Sequence, residues 1–270
     1  MEFKAGGRRL FAATGGQAFE PSRPTMLFIH GAAMDHSAWA LQSRFIAHHG
    51  CNVLAVDLPG HGLSEGPVPT GVDEHAAIMA ELLDAAGVER AIVAGHSLGA
   101  LIAIALAGQA PDRVSALGLL GVALPMAVGK PFLDAARDDS RTAIDMMMSW
   151  SHAAPAQIGG AASPGSWIVG GNRRLVERAS PGTLHTDLLA CNDYAGGDAA
   201  VARITCPTLL ILGAADRMAP VRAAAPLLDA IPGARQLVIP DCGHMMMAEA
   251  PRAVQRALLS LVDGAARRAA

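Results

Sequence analysis

The stretch Arg90-Ala-Ile-Val-Ala-Gly-His-Ser97-Leu-Gly-Ala-Leu-Ile-Ala-Ile-Ala-Leu-Ala107 decides how the rest of the chain is read. Its first part, Ala91 to Ala94, is a short continuous apolar run, the pattern of a strand covered on both faces. Its last part, from Leu98 to Ala107, reads as an apolar helix. Between them Gly95-His96-Ser97-Leu98-Gly99 fits G-x-S-x-G, the pattern of a nucleophile elbow, in the strand–turn–helix setting that the mechanism requires. The setting matters because a chain with 29 glycines meets the bare pattern by chance often enough to weaken it. Glycines flank the serine where a strained backbone crowded by neighbouring chain leaves no room for a Cβ. Ser97 is therefore expected to lift its hydroxyl above the sheet, in front of the helix N-terminus; the plainer alternative is a helix-capping serine.

A serine hydroxyl is a poor nucleophile near neutral pH and needs an adjacent base, itself held in one tautomer by a carboxylate. Leu212-Gly-Ala-Ala-Asp216 puts an acid in the loop just beyond an apolar run, and Ile239-Pro-Asp-Cys-Gly-His244 carries a histidine past the next run through a glycine turn. Ser97, Asp216 and His244 are the expected catalytic residues. Asp241 is a second, less plausible acid, because it shares one short loop with His244. The run Val114–Gly121 continues into Val-Ala with no carboxylate to offer. Acyl transfer also needs two N–H donors for the oxyanion. Leu98 supplies one, and His30-Gly-Ala32-Ala-Met34 the other, with Ala32 preferred and Ala33 next.

Outward from this centre, Thr25–His30, Asn52–Val56, Arg90–Gly95, Val114–Gly121, Thr208–Gly213 and Gln236–Ile239 read as strands separated by helical patterns. Such alternation means an α/β fold with a mostly parallel sheet and helices on both faces. Glu2–Lys4 and Arg8–Ala13 read as a leading antiparallel hairpin turned at Gly6-Gly7. Between Val122 and Gly197 the rhythm changes to Met-, Pro- and Gly-rich helical pieces, Phe132–Trp150, Arg173–Ala179 and Leu184–Asp193. Residues 122–197 are expected to form a helical cap or lid inserted into a core domain of residues 1–121 and 198–270, closed by a helix from Pro251 to about Ala265.

The composition fits this reading. Of 270 residues 51% are hydrophobic and 17% charged, and 21 basic against 24 acidic side chains give a formal charge of −3. The chain has no Lys/Arg run, so no nucleic-acid partner is expected. No apolar stretch approaches the roughly 20 residues that span a bilayer, and the N-terminus lacks a secretory pattern; a cytoplasmic protein with no membrane partner is expected. Arg267-Arg268 reads as a solvated tail. Cys51, Cys191, Cys206 and Cys242 are scattered and read as buried reduced thiols rather than metal ligands or disulfides. Asp57-Leu-Pro-Gly-His61-Gly62 fails as a dinucleotide loop, because the third glycine, Gly66, comes one place late. Asp57, His61 and His30 read as structural, and neither a metal nor a cofactor is expected. Phe132, Trp150, Trp167 and Tyr194, with Met126 and Met146-Met147-Met148, supply adaptable apolar groups for a pocket. Met34, Trp150, Trp167 and Met245 are the expected lining residues, the last following His244 directly.

Taken together, His30-Gly31, Asp57-Leu-Pro-Gly-His-Gly-Leu-Ser64, Gly95-His-Ser-Leu-Gly99, Asp216 and Gly243-His244 resemble the α/β-hydrolase fold family, and the match spans most of the chain. The resemblance implies an eight-stranded, mostly parallel sheet, a lid after the sixth strand and a Ser/Asp/His triad. The expected activity is that of a carboxylesterase-type serine hydrolase. It would cleave a carboxylic ester or related acyl compound, small and hydrophobic, through an acyl-enzyme on Ser97. Carbon–carbon hydrolases, lactonases, thioesterases and cofactor-free perhydrolases share the triad and stay open, whereas similar haloalkane dehalogenases and epoxide hydrolases place Asp where Ser97 stands. A different class, a slow-turnover ligand receptor on the same scaffold like the similar plant hormone receptors, also stays open, since fold does not fix function.

Overall fold

The apolar runs become the middle of one sheet. In the computed structural model, which describes residues 1–160 and 166–269, eight strands lie in the order β1-β2-β4-β3-β5-β6-β7-β8. They are β1 (Glu2–Ala5), β2 (Arg8–Ala13), β3 (Thr25–Ile29), β4 (Asn52–Val56), β5 (Ala91–His96), β6 (Val114–Leu120), β7 (Thr208–Gly213) and β8 (Arg235–Ile239). β2 pairs antiparallel with β1 and β4, and the pairings from β4 through β8 are parallel. Each expected strand is present, with no end shifted by more than one residue.

Side chains alternate across a strand, so every buried strand feeds two cores. Leu27 and Ile29 of β3 face one core with Leu54, Val56 and Val93, while Met26 and Phe28 face the other with Val53, Ala55 and Ile92. The helices that cover the sheet before β6 are α1 (Ala40–Ala47), α2 (Val72–Ala85) and α3 (Leu98–Gln109). Between β6 and β7 lie α4 (Lys130–Arg137), α5 (Arg141–Ser151), α6 (Ala154–Gln157), α7 (Ile168–Glu177), α8 (Thr183–Asn192) and α9 (Gly197–Val201). The chain ends with α10 (Ala225–Ala230), α11 (Met246–Glu249) and α12 (Pro251–Ala269). The segment from 122 to 197 is helical among its described residues; 161–165 lie outside them, as does the side chain of Arg268, while Arg267 is exposed.

One expected helix is two. Phe132–Trp150 breaks after Arg137 because Asp139 takes φ +47, and its carboxylate accepts the Gly182 N–H at 2.9 Å. The parallel register sets Ile29 beside Gly95, His96 beside Leu120, and Gly213 beside Ile239. The loops that follow β3, β5, β6, β7 and β8 therefore leave the same edge of the sheet, and Ala32, Met34, Ser97, Asp216 and His244 lie in them.

Candidate active site

Ser97 sits between β5 and α3 with φ 55 and ψ −118, outside the range that an L-residue adopts freely. Such a conformation costs on the order of 1–3 kcal/mol and persists only where the surroundings impose it. Here they do. The Ser97 N–H donates to the Leu120 carbonyl at 2.9 Å, and the Ser97 carbonyl accepts the Ala100 N–H at 2.8 Å. A Cβ at Gly95 would overlap the Gly99 carbonyl, and one at Gly99 would overlap the carbonyl of Ile29. The backbone crossing that lifts Ser97 thus tolerates only glycine on either side, the two glycines of the motif.

Asp216 lies three residues beyond β7, and His244 lies in the loop after β8. Both are buried. Asp216 Oδ2 accepts from His244 Nδ1 at 2.7 Å, while Oδ1 accepts the N–H groups of Met218 and Ala219, each at 2.8 Å. Nδ1 faces a carboxylate and so carries the ring proton, leaving the lone pair on Nε2. That nitrogen is buried and has no partner among the described residues. Asp241 is exposed and stands in a left-handed turn at φ +51.

The backbone of the histidine loop is held from two sides. The Ser151 carbonyl accepts the N–H groups of His244 and Met245 at 2.8 and 3.1 Å. The Glu249 carboxylate accepts those of Gly243 and Ala153 at 3.1 and 2.9 Å. Burial raises the Glu249 carboxyl above its ordinary value, and these N–H groups draw it back in part. His96, beside Ser97, donates Nε2–H to the His244 carbonyl at 2.9 Å, and burial holds its pKa well below the usual histidine range.

After β3, Gly31 to Met34 form a tight turn closed by Met34 N–H to the Gly31 carbonyl at 3.2 Å, with Ala33 at φ +54. The Ala33 N–H is already engaged, donating to Asp187 Oδ2 at 2.7 Å. The N–H groups of Ala32 and of Leu98, the first residue of α3, have no partner among the described residues. Of the two alanines considered from the sequence, only Ala32 keeps a free donor.

Ala32, Ser97 and His244 line a cavity of about 170 Å³. Met34 and Trp150 also line it, together with Met126, Phe132, Met147 and Leu188. Trp150 meets Phe132 edge-on at 5.5 Å between ring centres. Two expected lining residues lie elsewhere. Trp167 is 70% exposed at the start of α7, with its indole against Gly170. Met245 is buried in the core. Arg217, Met218 and Cys191 join the wall without having been expected there; Arg217 and Met218 follow Asp216 directly, which was a usable signal.

Asp35, His36 and Asp57 form the group of potential metal ligands among the described residues, with ligand atoms within 4.8 Å of one another. Both carboxylates already accept several donors. Asp57 accepts from His36 N–H and Nδ1 and from Leu63 N–H, and Arg178 occupies Asp35. Burial would raise the Asp57 carboxyl, but these donors hold it below the ordinary value. No helix among the described residues is long and apolar enough to cross a membrane. All four cysteines are buried and unbridged.

A family model described as alpha/beta hydrolase fold matches residues 24–251. A pimeloyl-[acyl-carrier protein] methyl ester esterase from Nitrosomonas europaea is 29% identical over 241 residues, covering 82% of this chain and 88% of that protein. The enol-lactonase from Burkholderia xenovorans superposes with a TM-score of 0.86 at 22% identity, over 97% of this chain and 100% of that one. A structure of a thermophilic esterase superposes with a TM-score of 0.81 at 26% identity, over 98% and 97%. The family model matches most of the sequence, and the eight-stranded sheet agrees with it: this chain belongs to the alpha/beta hydrolase fold family.

Proposed function

We propose that the protein is a serine hydrolase of small, largely apolar carboxylic esters or related acyl compounds, working through an acyl-enzyme on Ser97. One observation carries the reading: His244 is bonded through Nδ1 to buried Asp216, and its Nε2 is left unpartnered in the cavity that Ser97 lines. In this reading Ser97 Oγ attacks the substrate carbonyl while Nε2 takes the hydroxyl proton, and Asp216 stabilises the imidazolium that results. The N–H groups of Ala32 and Leu98 receive the oxyanion. His244 then returns the proton to the departing alcohol. Water, activated by the same nitrogen, releases the acid and restores the serine.

The helical segment 122–197 acts as the lid, with Met126, Phe132, Met147, Trp150 and Leu188 forming an apolar wall over the serine. A cavity of about 170 Å³ suits a short substrate group rather than a long chain. The relatives are named as a methyl ester esterase and an enol-lactonase, so lactones belong in the substrate panel beside esters. The test combines a fluorophosphonate with p-nitrophenyl esters of graded length. One adduct on Ser97, absent from Ser97→Ala, and multiple turnovers of a short ester are expected. Labelling elsewhere sinks the assignment, and a single slow turnover with an intact label favours the receptor class.

A further inference from the structure

α8 carries a polar side chain in its buried stripe. Leu184, Leu188 and Cys191 recur at helical spacing on its inner face, and the remaining position on that face is Asp187, which is 0% exposed. Its Oδ2 accepts two donors from the core domain, the Ala33 N–H at 2.7 Å and His61 Nε2 at 2.9 Å, while Oδ1 is buried without a partner among the described residues. We propose that Asp187 is a positioning residue. Paired with His61, it ties the helical segment to the turn after β3 and holds Ala33 in its left-handed conformation, so that the neighbouring Ala32 N–H points at the oxyanion.

The geometry of His61 makes this a charged anchor. Its Nδ1 lies 3.0 Å from the Pro59 carbonyl and its Nε2 lies 2.9 Å from the carboxylate. Both neighbours can only accept, so both ring nitrogens carry protons and the ring is an imidazolium. Burial by itself would lower the His61 pKa; the Asp187 carboxylate and the Pro59 carbonyl outweigh it and leave the value raised. The histidines nearby stay neutral. His30, with its ring centre 4.9 Å from that of His61, and His75 are both lowered by burial to about 4.

A buried ion pair is a poor way to gain stability, because desolvation offsets most of the attraction and well-packed apolar side chains often serve as well. What leucine at 187 could not do is accept a backbone N–H. Ala33 is a non-glycine residue at φ +54, and the acceptor on its N–H lies 154 residues away in the sequence rather than within the turn. Without that acceptor the turn is free to relax toward negative φ at Ala33, rotating the peptides on either side of Ala33 and, through the turn, shifting the Ala32 N–H. The segment that walls the cavity would then also set the oxyanion site, so that closure and competence are one structural event.

The inference rests on the serine-hydrolase reading, and the experiment separates the two. Wild type, Asp187→Asn, Asp187→Ala and His61→Gln are compared by kcat per fluorophosphonate-titrated serine, by KM on a short ester, and by the affinity of a trifluoromethyl ketone that mimics the tetrahedral adduct. Removing one oxyanion donor outright costs roughly 10²–10³ in kcat, so a misaligned donor is expected to cost about 10–100-fold in Asp187→Ala. KM should stay within about threefold, and ketone affinity should fall in parallel with kcat. Asp187→Asn keeps an acceptor for Ala33 and should recover part of the loss. Imidazole ¹⁵N shifts give a readout without activity: both nitrogens of wild-type His61 protonated near neutral pH, one in Asp187→Ala. If kcat per titrated serine stays within threefold of wild type in both Asp187 variants, whatever their Tm, or if wild-type His61 is neutral, the anchor is wrong. If wild type itself is not labelled at Ser97, the hydrolase reading is what fails.

Discussion

Gly121, just past β6, closes against His244 so tightly that a methyl group there would lie 2.9 Å from both Cε1 and Nδ1 of the imidazole. Its φ of +56 adds a second reason for glycine, since the left-handed region costs an L-residue about 1–2 kcal/mol. The end of β6 is thus a wall for the histidine ring rather than the source of its acid. Gly121→Ala is expected to lower Tm by a few degrees and kcat by at least tenfold with little change in KM, because the ring is displaced from Asp216 and not from substrate. Steady-state kinetics beside a melting curve checks this; an unchanged kcat would show that the ring has room to move.

Asp216→Asn should keep the fold and lose on the order of 10³–10⁴ in kcat, the scale of the corresponding change in serine proteases, because an amide facing Nδ1 favours the tautomer that cannot take the serine proton. Asp241→Asn is the control. Its carboxylate is exposed in a turn, so activity should stay near wild type. If instead the Asp241 variant is the inactive one, the acid has been misassigned.

Trp150→Ala should raise KM for longer esters and shift chain-length preference while leaving turnover of an acetate ester within a few-fold, since the indole lines the cavity proposed for substrate and supplies no oxyanion donor in that reading. Trp167→Ala should do neither, the indole being 70% exposed outside the cavity. Equal effects of the two substitutions would contradict the placement of Trp167.

The His36–Asp57 pair predicts a pH-dependent share of stability. His36 Nδ1 lies 2.8 Å from Asp57 Oδ1, and that hydrogen bond raises the His36 pKa above 6.5. A raised histidine contributes stability that is complete below its unfolded value and is lost as pH rises through the folded one. Asp57, held below 3.8, adds stability above that value which is lost in acid. The Tm gap between wild type and His36→Gln is therefore expected to be widest near pH 6 and to shrink as pH rises through the raised His36 value. A gap that ignores pH would assign the effect to ring packing on Phe11, whose centre is 5.0 Å away.

The features legible in the sequence are those whose cause is local. Continuous apolar runs announced β3 to β7, and Gly95 and Gly99 announced the elbow, because burial on two faces and backbone crowding act within a few residues. The break at Asp138–Ser140 was not legible. No proline or glycine marks it, and the left-handed Asp139 is held by an N–H from Gly182 that only the tertiary structure brings close. Trp167 looked like a pocket residue because aromatic side chains cluster in that part of the sequence, but composition does not say which side of a helix faces the serine. Asp187 left a usable trace, a lone carboxylate in the stripe Leu184, Leu188, Cys191.

The bonds from Asp187 to His61 and Ala33 close loops of 126 and 154 residues. The strands β1 to β6 and the whole elbow precede Asp187 in the chain, and contacts so distant in sequence form late, after the entropy of closing such loops has been offset elsewhere. A chain growing from the ribosome has therefore synthesised the residues of its serine turn well before the carboxylate that aligns the neighbouring amide exists. On the proposed reading the nucleophile comes first, and Asp187, Asp216 and His244, the carboxylates and the base that serve it, all arrive with the second half of the chain.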